Sequence, residues 1–387
     1  MESLTGLRWF AALAIFLAHV NVFLPLPYTH GLFGLGVSGV TFFFVLSGFV
    51  LTWTMTPNDT TGYFLGRRFA RVWPLLFLAI ALPTLFAVTG NSADIDVPTF
   101  VLVGLASVVL IQAWVPGWIL TGPSPVTWSL SCEAFFYVLF PLVAPAIVRR
   151  GLRQLLYLAI GLVALGWLIR VAVWIADPPT TAVSSADISS SSLSVLGTYA
   201  PPFRLVEFLL GVVVAAALRK GWRSPLRVWQ AAALLAAGFL VLWLFRDAAW
   251  RSSVPYDAVN QVTAPLFALL IAAVATRDED GKRSLLSSAP LVRLGRWSYA
   301  FYLFHFTVLV AVSSSVFPDK KVVDFFLDPV EPSWSHAGPA AIALLVSLAL
   351  SALLYRIYEA PLERVLRRFF RRAAGRDDPA PPRPARS

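Results

Sequence analysis

The sequence predicts an all-α membrane protein: a polytopic helix bundle of about ten spans, plus one apolar segment that is re-entrant or interfacial. Three observations lead there. Of 387 residues, 58% are hydrophobic and 13% charged, whereas a soluble domain carries about 25% charged residues. Mean hydropathy is +0.72, and the 14 Trp and 29 Phe suit a chain solvated by lipid and headgroups. Eleven apolar stretches alternate with short clusters of Lys and Arg, the pattern of cytoplasmic loops.

A spanning helix needs about 20 mainly apolar residues. The eleven stretches lie near 7–25, 33–54, 70–89, 98–115, 128–148, 155–175, 203–218, 228–245, 258–276, 292–314 and 338–357. The first is kept as a retained span, because Glu2 and Arg8 precede its apolar run and no small-x-small cleavage site follows it. The clusters at 66–71, 149–153, 219–223, 278–283 and 367–372 are expected in the cytoplasm. The intervals 90–98, 115–127 and 176–202 hold no Lys or Arg and are expected outside. Alternation from the basic C-terminus then requires the third and fourth stretches together to cross once. The stretch 98–115, with both flanks extracytoplasmic, is expected not to cross. Irregular backbone of that kind persists in a membrane where protein or a cavity covers it. Both termini are thereby cytoplasmic. The domain proper is 1–372, followed by a disordered, basic, proline-rich tail at 373–387.

The net charge of +10 invites a nucleic-acid partner, but its confinement to loops and tail argues against one. A single cysteine, Cys132, excludes an intrachain disulfide. The histidines at 19, 30, 305 and 336 lack a metal-type spacing, so no metal site is expected.

Ionisable residues within spans are costly in lipid and are functional candidates by default. In "GLRWFAALAIFLAHV", Arg8 and His19 stand eleven residues apart, about three turns, so they share a helix face with a rise of about 16 Å. In "RRFAR", Arg68 and Arg71 share a face at the cytoplasmic mouth of the third stretch, where guanidiniums can grip phosphates or anchor the helix. In "WSLSCEAFFYVLFP", Glu133 follows Trp128 and Ser129; it either orients a histidine, contacts a hydroxyl, or favours a helix N-terminus. Arg204 and Glu207 are three apart at the outer end of the seventh span and either pair with each other or face a cavity. Tyr302 and His305 lie mid-membrane on one face with Ser298. Ser47 lacks a nucleophile elbow, and Ser47 with Gly48 is expected to permit close helix packing.

Taken in order, "LTGLRWFAALAIFLAHV", "GVTFFFVLSGFVLTW", "RRFARVWPL", "WSLSCEAFFYVLFPL", "FRLVEFLLGVVVA", "LGRWSYAFYLFHFTVL" and "YEAPLERVLRR" resemble the membrane-bound acyltransferase-3 family from Ser3 to about Arg368, in its stand-alone form without an esterase-like domain. The resemblance implies transfer of an acyl group, other than aminoacyl, from cytoplasmic acyl-CoA to a hydroxyl, often on a sugar. Its basic residue, ten others and an essential histidine match Arg8 and His19. Its R-x-x-R matches Arg68 and Arg71. Its "WSL…E" matches Trp128 to Leu130 and Glu133, although Ala134 stands where many members carry a second acid.

The expected enzyme is therefore an acyl-CoA-dependent O-acyltransferase of the cell membrane. Arg8, Arg68 and Arg71 bind the co-substrate, acetyl-CoA or another short-chain acyl-CoA. His19 serves as general base or acyl relay, and Glu133 holds its tautomer or the acceptor. Trp128, Ser129, Arg204, Glu207, Tyr302 and His305 line the substrate cavity. The acceptor is a surface glycan or an antibiotic such as a macrolide. Besides lipid, acyl-CoA and this acceptor, no partner is implied, and no cofactor is held permanently. The competing class is a transporter, whose path also uses intramembrane His, Glu and Arg, and which would show related halves and broken helices. A non-catalytic sensor would need no aligned Arg8 and His19.

Overall fold

The computed structural model describes residues 1–56, 59–89, 96–177, 193–244, 258–282, 284–322 and 324–375. Among these residues the regular structure is helical, and nine helical runs are long and apolar enough to cross a membrane. In chain order, α1 (Glu2–Phe23) is followed by α2 (Gly39–Trp53), which is entered through a helical lead-in from His30. Then come α3 (Thr61–Thr89), α4 (Val97–Val108), α5 (Trp128–Val148), α6 (Leu152–Ala176) and α7 (Pro201–Arg219). The second half holds α8 (Val228–Leu244), α9 (Val259–Glu279), α10 (Ala289–Val316), α11 (Ala337–Leu354) and α12 (Ala360–Ala373).

The all-α polytopic bundle is the expected one. Helix α4, with 12 residues, is about 18 Å long, too short for a hydrocarbon core of about 30 Å. Of the two stretches to which loop charge allows one crossing, 98–115 is thus the one whose helix is too short to span. The expected span at 228–245 is seen as the 17 residues of α8, which end where the described residues end. The final stretch is longer than expected: α11 continues through a π-helical turn at Tyr355–Glu359 into α12. Most of the stretch 176–202, expected outside, and the tail beyond 375 lie outside the described residues, though Leu193–Tyr199 forms a short helix.

Two packings fix the site. Helix α1 lies along α10, with Trp9 against Phe301 at 5.1 Å and Phe23 against Phe306 at 5.3 Å. Helix α2 crosses α7 backbone to backbone. A Cβ on Gly48 would collide with the Phe208 carbonyl, and one on Gly211 with the Val45 carbonyl; small residues at both positions let the helices close. Gly48 therefore has its expected role.

The backbone between α4 and α5 decides the depth of α5. Leu110 adopts a left-handed φ of 61°, unusual for a branched side chain. Its carbonyl accepts from Ser131 Oγ at 2.5 Å, while Trp73 Nε1 donates to the Val108 carbonyl at 2.9 Å. Gln112, Ser124 and Thr127 are buried along this stretch, and Gln112 Nε2 donates to Thr127 Oγ1 at 3.2 Å. The irregular segment is thus covered by protein and partly satisfied within it, although Gln112 Oε1 and Ser124 Oγ are buried without a partner. Helix α5 consequently starts deep in the bundle, its second residue, Ser129, level with Tyr302 of α10.

Candidate active site

A cavity of about 370 Å³ opens between the first two turns of α1, most of α2, and facing turns of α3, α5 and α10. Arg8, Arg68, Arg71, Ser129, Glu133 and Tyr302 all line it. Six of the residues singled out in the sequence therefore converge. Ser47, Tyr137 and Tyr299 line it too.

The charges are unevenly matched. Arg71 forms ion pairs with Glu359 of the π-helical turn and with Glu363 of α12, the latter at 3.1 Å. It also lies 5.3 Å over the ring of Tyr299, whose hydroxyl donates to the Val72 carbonyl. Among the described residues, Arg8 and Arg68 have no ion pair or hydrogen bond. They lie against the rings of Phe43 at 6.0 Å and Phe64 at 5.8 Å, and Nε of Arg68 is buried without a partner. Glu133 is held within hydrogen-bonding reach of the Ser47 and Tyr137 hydroxyls and feels the charges of Arg8 and Arg68. Two uncommitted guanidiniums in a partly apolar cavity make it receptive to anions, because unpaired charge at membrane depth is costly.

His19 and His305 do not line this cavity. They sit one layer above it and face each other, His305 Nε2 to His19 Nδ1 at 3.2 Å. Their tautomers follow from their neighbours. His305 Nδ1 faces the Tyr302 carbonyl at 2.7 Å and the Phe301 carbonyl at 3.2 Å, so it carries the proton. Its Nε2 is then an acceptor, and His19 Nδ1, which also faces the Ile15 carbonyl at 2.9 Å, is the donor. Nε2 of His19 is left with a bare lone pair and has no hydrogen bond among the described residues. A neutral imidazole of this kind can accept a proton or act as a nucleophile.

Three expectations are corrected here. Glu133 does not touch His19. It lies four residues below Ser129 on α5, while His305 lies three above Tyr302 on α10, so they are separated by roughly 10 Å along the bundle axis. The Ile15 carbonyl holds the proton on Nδ1 of His19 and His305 steadies the ring through the same Nδ1; His305 does not line the cavity. Trp128, Arg204 and Glu207 do not line the cavity either. Arg204 donates to Glu207 at 2.9 Å, to Thr41 Oγ1 at 3.0 Å and to the Thr198 carbonyl at 3.0 Å, and it lies over the rings of Phe44 and Trp128. This buried cluster ties α7 to α2. Ser47 lines the cavity beside Glu133.

Tyr137 was missed, although its i, i+4 relation to Glu133 puts both on one helix face. The partners of Arg71 carried no local signal, being 288 and 292 residues away.

The fold and this cavity define a class: a multi-pass membrane protein with an anion-receptive chamber beneath a histidine pair. The chain belongs to the acyltransferase family whose model, described as an acyltransferase domain (Acyl_transf_3), matches residues 1–356. It is similar to the acyltransferase MdmB of Streptomyces mycarofaciens, with 35% identity over 98% of this chain and 96% of the relative. It is also similar to the O-acetyltransferase OatA of Staphylococcus aureus, with 24% identity over 94% of this chain and 57% of the relative. The exopolysaccharide production protein ExoZ of Rhizobium meliloti is 27% identical over 73% of this chain and 80% of the relative. No solved structure matches the chain. The protein is thus a multi-pass membrane acyltransferase.

Proposed function

We propose that the protein moves an acyl group from acyl-CoA, bound from the cytoplasm, to a hydroxyl of a sugar-containing acceptor, such as a macrolide-type antibiotic or a surface glycan. The observation that carries this reading is the placement of the uncommitted Arg8 and Arg68 in a cavity beneath the bare Nε2 of His19. Both ends of the chain lie at the basic, cytoplasmic side on this reading, so α1 runs outward from Arg8 to His19.

The acceptor oxygen attacks the thioester carbonyl while its proton passes to Nε2 of His19. The C–O bond forms, the C–S bond breaks, and His19 returns the proton to the departing CoA thiolate. The same Nε2 could instead attack the thioester first, giving an acyl-imidazole that the acceptor then resolves. Val40, Phe43 and Tyr302 belong to the cavity lining and His19 does not, so the reacting end of the donor has to extend past that lining to meet the histidine. Arg8 and Arg68 supply the uncommitted positive charge that attracts the anionic donor, Arg71 being paired with Glu359 and Glu363, and Glu133, beside Ser47 and Tyr137 in the lining, sets the polarity of the chamber.

Membership of an acyltransferase family favours an enzyme over a transporter. The test is transfer from radiolabelled acetyl-CoA to a panel of hydroxylated acceptors by purified protein in lipid nanodiscs. Transfer to a macrolide or glycan supports the reading. Failure to bind CoA at all would overturn acyl-CoA as the donor.

A further inference from the structure

A second cavity, of about 500 Å³, lies at the basic end of the bundle, between the end of α2, the start of α3, the far half of α5 and the end of α7. Arg67, Arg68, Arg149 and Arg219 line it, and Asp59 is the acid among its lining residues. It shares Thr54 and Arg68 with the first cavity, so a ligand longer than either chamber can pass from one to the other beside that guanidinium.

Its arginines retain binding capacity. Arg67 is paired with Asp59 and stacked over Tyr63 at 4.7 Å, yet its Nε is buried without a partner, as is that of Arg68. Arg219 uses one terminal nitrogen, Nη1, on the Thr52 carbonyl at 2.6 Å and the Met55 carbonyl at 3.3 Å. Its other N–H groups and the whole Arg149 guanidinium make no hydrogen bond among the described residues. Four planar forks with one carboxylate in a concave site fit clustered phosphates rather than a single carboxylate. Small-molecule sites typically measure about 300–1,000 Å³. Each cavity alone lies in the lower half of that range, and the joined pair lies toward its upper end.

We propose that this second cavity seats the phosphorylated nucleotide end of the donor, with Arg149 and Arg219 as phosphate-binding residues, while the pantetheine arm passes Thr54 and Arg68 into the first cavity. The proposal rests on acyl-CoA being the donor. It separates two tasks: the outer chamber recognises the nucleotide, and the inner one receives the reacting arm.

Affinity for CoA and for pantetheine, measured on protein in phosphatidylcholine nanodiscs, tests it. Wild type is expected to bind CoA more tightly than pantetheine. Arg149→Ala, at an exposed side chain with no hydrogen bond to lose, is expected to weaken CoA by about tenfold or more, the loss of one hydrogen bond to a charged group. Pantetheine affinity stays unchanged. Arg219→Lys, which keeps a donor for the end of α2, is expected to show the same selective loss, and adenosine 3′,5′-bisphosphate to compete with CoA in wild type. Equal weakening of both ligands, or no change in either, overturns the subsite while leaving the donor intact. Binding of neither ligand by wild type overturns the donor and the subsite together. An effect of Arg149→Ala confined to nanodiscs containing phosphatidylglycerol assigns the cavity to lipid headgroups and overturns the proposal.

Discussion

Replacing His305 with leucine keeps much of the side chain's volume but removes the acceptor opposite His19. In the folded protein His19 Nδ1 has two partners, His305 Nε2 at 3.2 Å and the Ile15 carbonyl at 2.9 Å. Leucine leaves the second in place, so the proton stays on Nδ1 and Nε2 stays bare. What is lost is one hydrogen bond that fixes the ring, worth about 0.5–1.5 kcal/mol, or between about twofold and tenfold in rate. Arg8 and Arg68 are untouched, so KM for acyl-CoA is expected to hold while kcat falls. His305→Gln, whose Oε1 can accept the same proton, is expected to recover most of the loss. Initial rates of acyl transfer in nanodiscs, with a productive acceptor, read both constants. A fall in kcat as deep as that of His19→Ala would make His305 itself the reacting group. An unchanged kcat, or a loss carried entirely by KM, would also refute the positioning role.

Arg68→Ala removes an uncommitted guanidinium from both cavities and is expected to raise KM for acyl-CoA about tenfold with kcat little changed; a drop in kcat alone would contradict the binding role. Arg204→Leu leaves Glu207 buried without its partner, which is expected to cost about 3–5 kcal/mol. The double replacement with Glu207→Leu should recover much of that in unfolding measurements, and no recovery would show that the cluster is not an ion pair in the working protein. Gly48→Ala forces a methyl into the Phe208 carbonyl and should cost about 1–3 kcal/mol as α2 and α7 separate, read as a lower melting temperature; an unchanged one would mean that the helices do not close there.

The spans were legible because hydropathy and loop charge act over twenty residues at a time; the same charges required one of the third and fourth stretches not to cross, and the short α4 points to 98–115. Arg8 and His19 were legible as a pair because one helix carries both. Glu133 was legible as a candidate but not in depth: its position depends on the irregular chain from Leu110 to Thr127, which lowers the start of α5 into the bundle. Arg204 and Glu207 announced their own i, i+3 pair, and the structure adds Thr41, Thr198 and two aromatic rings that fill the remaining valences. The union of His19 with His305, 286 residues apart, depends on how α1 lies along α10, which no local pattern encodes.

On the proposed mechanism His19 handles the proton or the acyl group. Single-turnover transfer by His19→Ala, with CoA affinity measured on the same preparation, tests it most directly. Loss of a general base is expected to slow transfer by about 10²–10⁴-fold while CoA binding, made at Arg8 and Arg68 below, stays as in wild type. Transfer at the wild-type rate by this variant would contradict the account.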